Sequence, residues 1–121
     1  MRRPEDRLQA QVIEFLRLSL PRHVVFAVPN GGTRNVREAV NLKRCGVLAG
    51  MPDVGILGDE GRSWWIELKS ATGRLSKPQR AMLDTLRVMG VPVGLARSLE
   101  DVQALLTTWG LGRGLLRNQT K

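Results

Sequence analysis

Two short apolar runs joined by a Gly-containing turn constrain the fold of this chain more than any other feature. The runs occupy residues 54–57 and 63–69, and the turn between them occupies residues 58–61. A connection this short joins neighbouring antiparallel strands, so the sequence predicts a β-hairpin. At least part of the chain is therefore expected to form a sheet on which the remaining segments pack.

Charged residues stand at the ends of this predicted hairpin. Asp53 precedes the first run, and Glu67 and Lys69 lie within the second. Side chains alternate between the faces of a strand, so Glu67 and Lys69 share one face while Leu68 points into the core. Two carboxylates and an ammonium on one sheet surface are costly unless something binds there. A divalent cation and a phosphate would supply that partner, which is typical of a metal-dependent nuclease.

The segments around the hairpin alternate between helical and extended patterns. Apolar periodicity predicts helices at residues 4–20, 35–45, 76–90 and from 98 onward, and further strands at residues 24–28 and 91–96. The segment Ser76-Lys77-Pro78-Gln79 is expected to begin a helix, with Pro78 near its first turn, and Ser98 is expected to cap the last helix. Pro92 indicates that the last strand either begins there or lies at an edge of the sheet. The order α-β-(α)-β-β-α-β-α predicts an α/β fold with helices flanking a sheet. Residues 1–109 are expected to form one domain, followed by a flexible basic tail at 110–121.

The composition limits the class of binding partner and the cellular compartment that we expect. Nineteen Lys and Arg against eleven Asp and Glu give a net charge of +8, which favours a polyanionic partner. The single cysteine, Cys45, excludes an internal disulfide and a multi-cysteine zinc site. No apolar leader begins the chain and no apolar run reaches membrane-spanning length, so a cytoplasmic protein is expected.

The charged residues of the hairpin match the ligand preference of Mg²⁺. This ion takes oxygen ligands and keeps several waters, so the Asp53 and Glu67 carboxylates with the Leu68 main-chain carbonyl would suffice. Lys69 could orient the attacking water or stabilise the negative charge of the transition state. The spacing alone also allows a solvated surface hairpin with no activity.

Several separated motifs resemble a known family. Gly-Met-Pro-Asp at 50–53 and Trp-Ile-Glu-Leu-Lys at 65–69 resemble the PD-(D/E)xK nuclease superfamily. Four further segments resemble the VRR-NUC family, and in particular its small stand-alone phage and bacterial members. They are Glu5-x-x-x-Gln9, Val-Pro-Asn-Gly-Gly-x-Arg at 28–34, Gly-Val-x-Ala-Gly-x-Pro-Asp at 46–53, and Gly-Arg-Leu-Ser-x-x-Gln at 73–79. The literal Val-Arg-Arg signature of the family name is absent.

This resemblance implies a restriction-endonuclease-like mixed β-sheet flanked by helices. It implies that Asp53, Glu67 and Lys69 form the catalytic core and that Mg²⁺ or Mn²⁺ is the cofactor. It further implies that Glu5 reaches the metal site directly or through water, with Glu14 as the alternative carboxylate of the first helix. Gln79 would support the site from the start of the following helix.

The resemblance also implies a DNA substrate and a homodimer. Two active sites facing opposite strands would suit branched DNA, such as four-way (Holliday) junctions or flaps. The residues expected to contact nucleic acid are Asn30, Gly31, Arg34, Arg74 and Lys77. The segment around Asn30 could instead be only a turn that ends a strand. A non-catalytic nucleic-acid-binding module and an RNA-directed nuclease remain the alternative functions.

Overall fold

The computed structural model describes residues 4–29 and 35–112. Its elements are α1 (Pro4–Ser19), β1 (Val24–Ala27), α2 (Val36–Arg44), β2 (Val54–Leu57), β3 (Ser63–Leu68), α3 (Lys77–Val88), β4 (Val93–Ala96) and α4 (Leu99–Trp109). A short 3-10 turn, Asp59–Gly61, connects β2 to β3. The predicted order of helices and strands is confirmed.

The four strands form one mixed sheet in the order β1-β2-β3-β4. The first three strands are antiparallel neighbours, and Val54 pairs with Ile66 in the predicted hairpin. β4 runs parallel to β3 at the edge of the sheet, so α3 serves as the crossover that parallel pairing requires. β4 begins only at Val93, directly after Pro92, which has no N–H to donate to a ladder.

One face of the sheet carries the hydrophobic core. Val12 and Leu16 of α1 and Val102 of α4 belong to the same buried cluster as Ile66 and Leu68 of β3. Because side chains alternate along a strand, Glu67 points to the opposite face, as predicted. The helices α1 and α4 therefore support the sheet from behind, and the charged residues lie on its other side.

Serine caps fix where α3 and α4 begin, and the cap at Ser98 is the predicted one. Ser76 accepts a hydrogen bond from the Gln79 N–H at 3.2 Å, and Ser98 accepts one from the Asp101 N–H at 3.1 Å. Such side chains satisfy N–H groups that the first turn leaves without partners. α4 ends at Gly110, whose φ of 73° is the left-handed conformation that favours glycine.

Only the beginning of the expected tail lies within the described residues. Leu111 packs against the core, and residues 113–121 lie outside the described part of the chain. None of the helices in the described part is long and apolar enough to cross a membrane.

Candidate active site

Asp53 stands directly before β2 and is held in place by its neighbours. Its Oδ2 accepts a hydrogen bond from the Leu68 N–H at 2.8 Å. Its main-chain carbonyl accepts one from the Val28 N–H, also at 2.8 Å. In the antiparallel register Val54 lies opposite Ile66, so Asp53 lies opposite Glu67. The pairing of β2 with β3 thus brings together two carboxylates that are fourteen positions apart in the sequence.

Glu67 is a buried acid with an incomplete set of partners. It is 1% exposed, and it is the one buried charged side chain among residues 4–29 and 35–112. Its Oε2 accepts a hydrogen bond from Gln79 Nε2 at 3.1 Å, whereas its Oε1 has no hydrogen-bond partner. Buried polar atoms without partners are rare in folded proteins, so this one calls for an explanation.

The surroundings of Glu67 disfavour its charged form. The pKa of its carboxyl is raised from 4.5 to about 8, chiefly by burial and then by the neighbouring negative charge of Asp53. The positive charge of Lys69 opposes this rise, and the charge of Glu5 adds slightly to it. A proton or a cation beside Glu67 would relieve the repulsion between the two carboxylates.

Gln79 connects the start of α3 to Glu67. Its Oε1 accepts from the Ser76 N–H at 2.9 Å and completes a capping box, in which cap and third residue bond reciprocally. The same amide donates through Nε2 to Glu67. Because the capping box fixes which end of the amide carries oxygen, the NH₂ group must face the carboxylate.

Gly50 allows the segment before Asp53 to pass close to α3. Its φ is 88°, and a Cβ at this position would lie 2.4 Å from the Pro78 carbonyl oxygen. No side chain fits there, and the left-handed backbone favours glycine as well. The close approach brings the segment that carries Asp53 against the turn that carries Gln79.

Glu5 and Lys69 meet at the turn after β3, at residues 70–73. Glu5 Oε2 lies 3.4 Å from the Ser70 N–H that donates to it, while Glu14 is exposed on α1. The Lys69 N–H donates to the Ala96 carbonyl at 3.0 Å, which continues the β3–β4 ladder. Of the two candidate carboxylates on α1, Glu5 is therefore the one that contacts the turn after β3.

Sequence reasoning overlooked Arg97. Its Nη1 donates to the carbonyls of Ser70 and Gly73 at 2.7 and 2.6 Å. Its position could have revealed it, because the residue directly after β4 must lie near the end of the neighbouring parallel strand β3.

The residues present fit a hard divalent cation. Within the described ranges, no three His, Cys, Asp or Glu side chains are grouped closely enough to hold a metal. Mg²⁺, however, is usually bound by one or two carboxylates and keeps several waters. Asp53, Glu67 and the Leu68 carbonyl are an all-oxygen set, and the unpartnered Oε1 of Glu67 is a buried acceptor that a cation would satisfy.

Of the five residues expected to contact nucleic acid, two lie within the described part of the chain. Arg74 and Lys77 are exposed between β3 and the first turn of α3, on the approach to Gln79. Asn30, Gly31 and Arg34 lie outside the described residues.

Comparison with known proteins gives a consistent family and fold. A family model for the VRR-NUC domain matches residues 1–100. One solved structure, described as a VRR_NUC domain, is 20% identical with a TM-score of 0.63, covering 88% of this chain and 97% of its own. Another, described as a VRR_NUC domain protein, is 21% identical with a TM-score of 0.68, covering 89% and 88%. No curated protein matches the sequence. At these identities the structural likeness establishes the fold.

Proposed function

The chain belongs to the VRR-NUC domain family, a nuclease-like family, and from this premise we propose that it is a metal-dependent DNA endonuclease. One observation carries the proposal: Glu67, 1% exposed, faces Asp53 with one carboxylate oxygen unpartnered. A fold that needed only stability would not keep two facing carboxylates in this position, because burying a charge without a partner is costly. The arrangement is explained if a cation and a phosphate bind there.

The side chains of the site divide the work of phosphodiester hydrolysis. Asp53, Glu67 and the Leu68 carbonyl would hold Mg²⁺ or Mn²⁺, and Glu5 would support the site through water or directly. When bound, such an ion supplies a Lewis acid that polarises the phosphate and lowers the pKa of a bound water. Lys69 follows β3 on the same side of the sheet as Glu67, where its ammonium can stabilise negative charge on the phosphate. Gln79 keeps the Glu67 carboxylate in one orientation.

The surface around the site supports DNA as the substrate. Arg74 and Lys77 are exposed beside the turn that carries Gln79, and the chain has a net charge of +8. Lys and Arg contacts to phosphates supply affinity that does not depend on base sequence. No element in the described part of the chain offers an evident base-reading helix, so we favour recognition of DNA shape, such as a four-way junction or a flap.

An exposed apolar stripe supports the homodimer. Val36 and Val40 are one turn apart on α2 and are 80% and 61% exposed, and Leu48 just beyond is 60% exposed. Contiguous exposed apolar patches mark interaction surfaces. α2 carries Glu38 in its first turn and the basic pair Lys43 and Arg44 in its last. Two α2 helices packed antiparallel about a two-fold axis would bring opposite charges together.

The catalytic proposal is tested by cleavage of labelled DNA structures with Mg²⁺ or Mn²⁺. The wild type should cut, whereas Asp53→Asn and Lys69→Met should lose about 10³-fold or more in rate while keeping their fold and DNA affinity. Asp59→Asn is the matched control, because Asp59 is exposed in the turn at the far end of β2. A wild type inactive on every structure with either ion would refute the proposal.

The substrate and the dimer are tested with the same preparation. Four-way junctions and flaps should be cut faster than linear duplex, and RNA of the same shape should be cut more slowly. Sedimentation should give a dimer that Val40→Glu dissociates. A monomeric wild type that cuts linear duplex as fast as a junction would contradict this part of the proposal.

A further inference from the structure

A single guanidinium holds the turn that follows β3. Arg97 Nη1 donates to the Ser70 carbonyl at 2.7 Å and to the Gly73 carbonyl at 2.6 Å, and the Ala71 carbonyl lies 3.5 Å away. Hydrogen bonds from a charged donor are shorter and about twice as strong as neutral ones. The carbonyls at both ends of the turn therefore bond to one side chain, which comes from the residue directly after β4.

The backbone of Arg97 is itself anchored. Its N–H donates to Asp101 Oδ2 at 2.8 Å, and the Asp101 N–H donates to the Ser98 hydroxyl at 3.1 Å. These contacts tie the residue to the capped first turn of α4, which packs on the core. The main chain of Arg97 is thus held in place where its guanidinium extends to the turn.

The turn is the place where α1 meets the end of β3. Its first N–H, that of Ser70, donates to Glu5 Oε2, and Lys69 directly precedes it. A Cβ at Gly73 would lie 3.2 Å from Glu5 Oε2 and 3.0 Å from Ser70 Oγ, so the turn packs closely on the Glu5 carboxylate. A shift of the turn would consequently displace both Lys69 and Glu5.

We propose that Arg97 is a positioning residue of the candidate active site: by fixing the turn at 70–73, it sets where Lys69 and Glu5 stand relative to Asp53 and Glu67. The inference rests on the function proposed above, although its structural part can be measured without any substrate. Arg97 lies behind the turn and donates to main-chain carbonyls, so it acts through other residues.

The structural part is tested by amide hydrogen exchange. Arg97→Met should speed exchange of the Ser70 and Gly73 amides roughly ten-fold or more, while the β3 core amides stay protected. Arg87→Met is the matched control, because Arg87 is an exposed α3 arginine at the far end of that helix and its loss removes the same charge. Equal exchange at Ser70 and Gly73 in wild type, Arg97→Met and Arg87→Met would overturn the inference.

The functional part is tested by steady-state cleavage of the DNA structure that the wild type cuts best. Arg97→Met should lower kcat about 10- to 100-fold and leave KM within about two-fold of the wild-type value. Losses of this size are typical of residues that orient the residues of a site without contacting the substrate. Arg97→Lys, which keeps the charge and a donor, should recover part of kcat and serves as the test if the Met variant does not fold. Arg87→Met should leave kcat unchanged.

The outcomes separate this inference from the proposed function. If the wild type cuts and Arg97→Met cuts with the same kcat, Arg97 has no positioning role and the nuclease proposal stands. If Arg97→Met and Arg87→Met lose the same fraction of kcat, the loss comes from removing one positive charge, and the inference is overturned. A wild type that cuts nothing, while Arg97→Met still loosens the turn, refutes the nuclease proposal and leaves the structural role of Arg97.

In an active enzyme, combining Arg97→Met with Glu5→Gln should lower kcat by less than the product of the two single losses.

Discussion

Replacing Glu67 by Gln should stabilise the metal-free protein while abolishing its activity. Gln has nearly the same volume as Glu and no charge. Its carbonyl oxygen can accept the hydrogen bond from Gln79 Nε2, and its NH₂ group can face the Asp53 carboxylate. The substitution therefore removes the repulsion between the two acids and preserves the packing around them.

The size and the pH dependence of this effect follow from the raised pKa of Glu67. Below pH 4.5 the carboxyl is protonated in both the folded and the unfolded chain, and its burial as an acid costs little. Between pH 4.5 and about 8 the unfolded chain ionises while the folded one keeps its proton, so the free energy of unfolding falls as pH rises. At about 1.4 kcal/mol per pKa unit, the loss is roughly 3 kcal/mol at pH 7 and about 5 kcal/mol above pH 8.

The assay is urea unfolding in EDTA at several pH values between 5 and 9. The free energy of unfolding of Glu67→Gln should exceed that of the wild type by a margin that grows with pH. Glu14→Gln, which removes an exposed carboxylate of α1, is the control and should differ from the wild type by about 0.5 kcal/mol or less at every pH. A Glu67→Gln variant that is less stable than the wild type, or whose margin does not change with pH, would refute the reasoning.

Two further substitutions test how the site is assembled. Gly50→Ala should cost about 2 kcal/mol or more in the free energy of unfolding, measured by urea titration, because its φ of 88° and its contact with Pro78 exclude a Cβ; a loss below about 0.5 kcal/mol would contradict the close approach. Ser76→Ala should cost about 1 kcal/mol of stability and also lower kcat, because the capping box orients Gln79. Ser98→Ala removes an equivalent cap at α4 and should cost about the same stability; a Ser76→Ala variant that keeps the wild-type kcat would show that the capping box has no catalytic consequence.

The fold was predictable from the sequence where its signals are local. The turn between residues 54–57 and 63–69 and the strict alternation around Leu68 predicted the hairpin and the face on which Glu67 lies. The beginnings of α3 and α4 were predictable for the same reason, since Pro78 near a first turn and a cap such as Ser98 act only on residues a few positions away. These features depend on neighbours along the chain.

The parts of the site that the sequence did not reveal depend on distant contacts. The residues next to Arg97 do not by themselves indicate that its guanidinium reaches the turn at residues 70–73; that follows only once β4 is known to pair in parallel with β3. Likewise, the residues around Gly50 do not indicate that its backbone packs against the Pro78 carbonyl of α3. The periodicity of α2 predicted a short helix, but it could not show that Val36 and Val40 remain exposed. Which side chain meets which requires the three-dimensional arrangement of the elements.

The central claim is that Asp53 and the buried Glu67 form the metal-dependent centre of a nuclease. Its most direct test is the cleavage of one labelled four-way junction by the wild type and by Glu67→Gln, each in EDTA and in Mg²⁺. The wild type should cut only with Mg²⁺, and the more stable Glu67→Gln should cut in neither condition. Cleavage by the wild type in EDTA, or by Glu67→Gln at the wild-type rate, would contradict the claim.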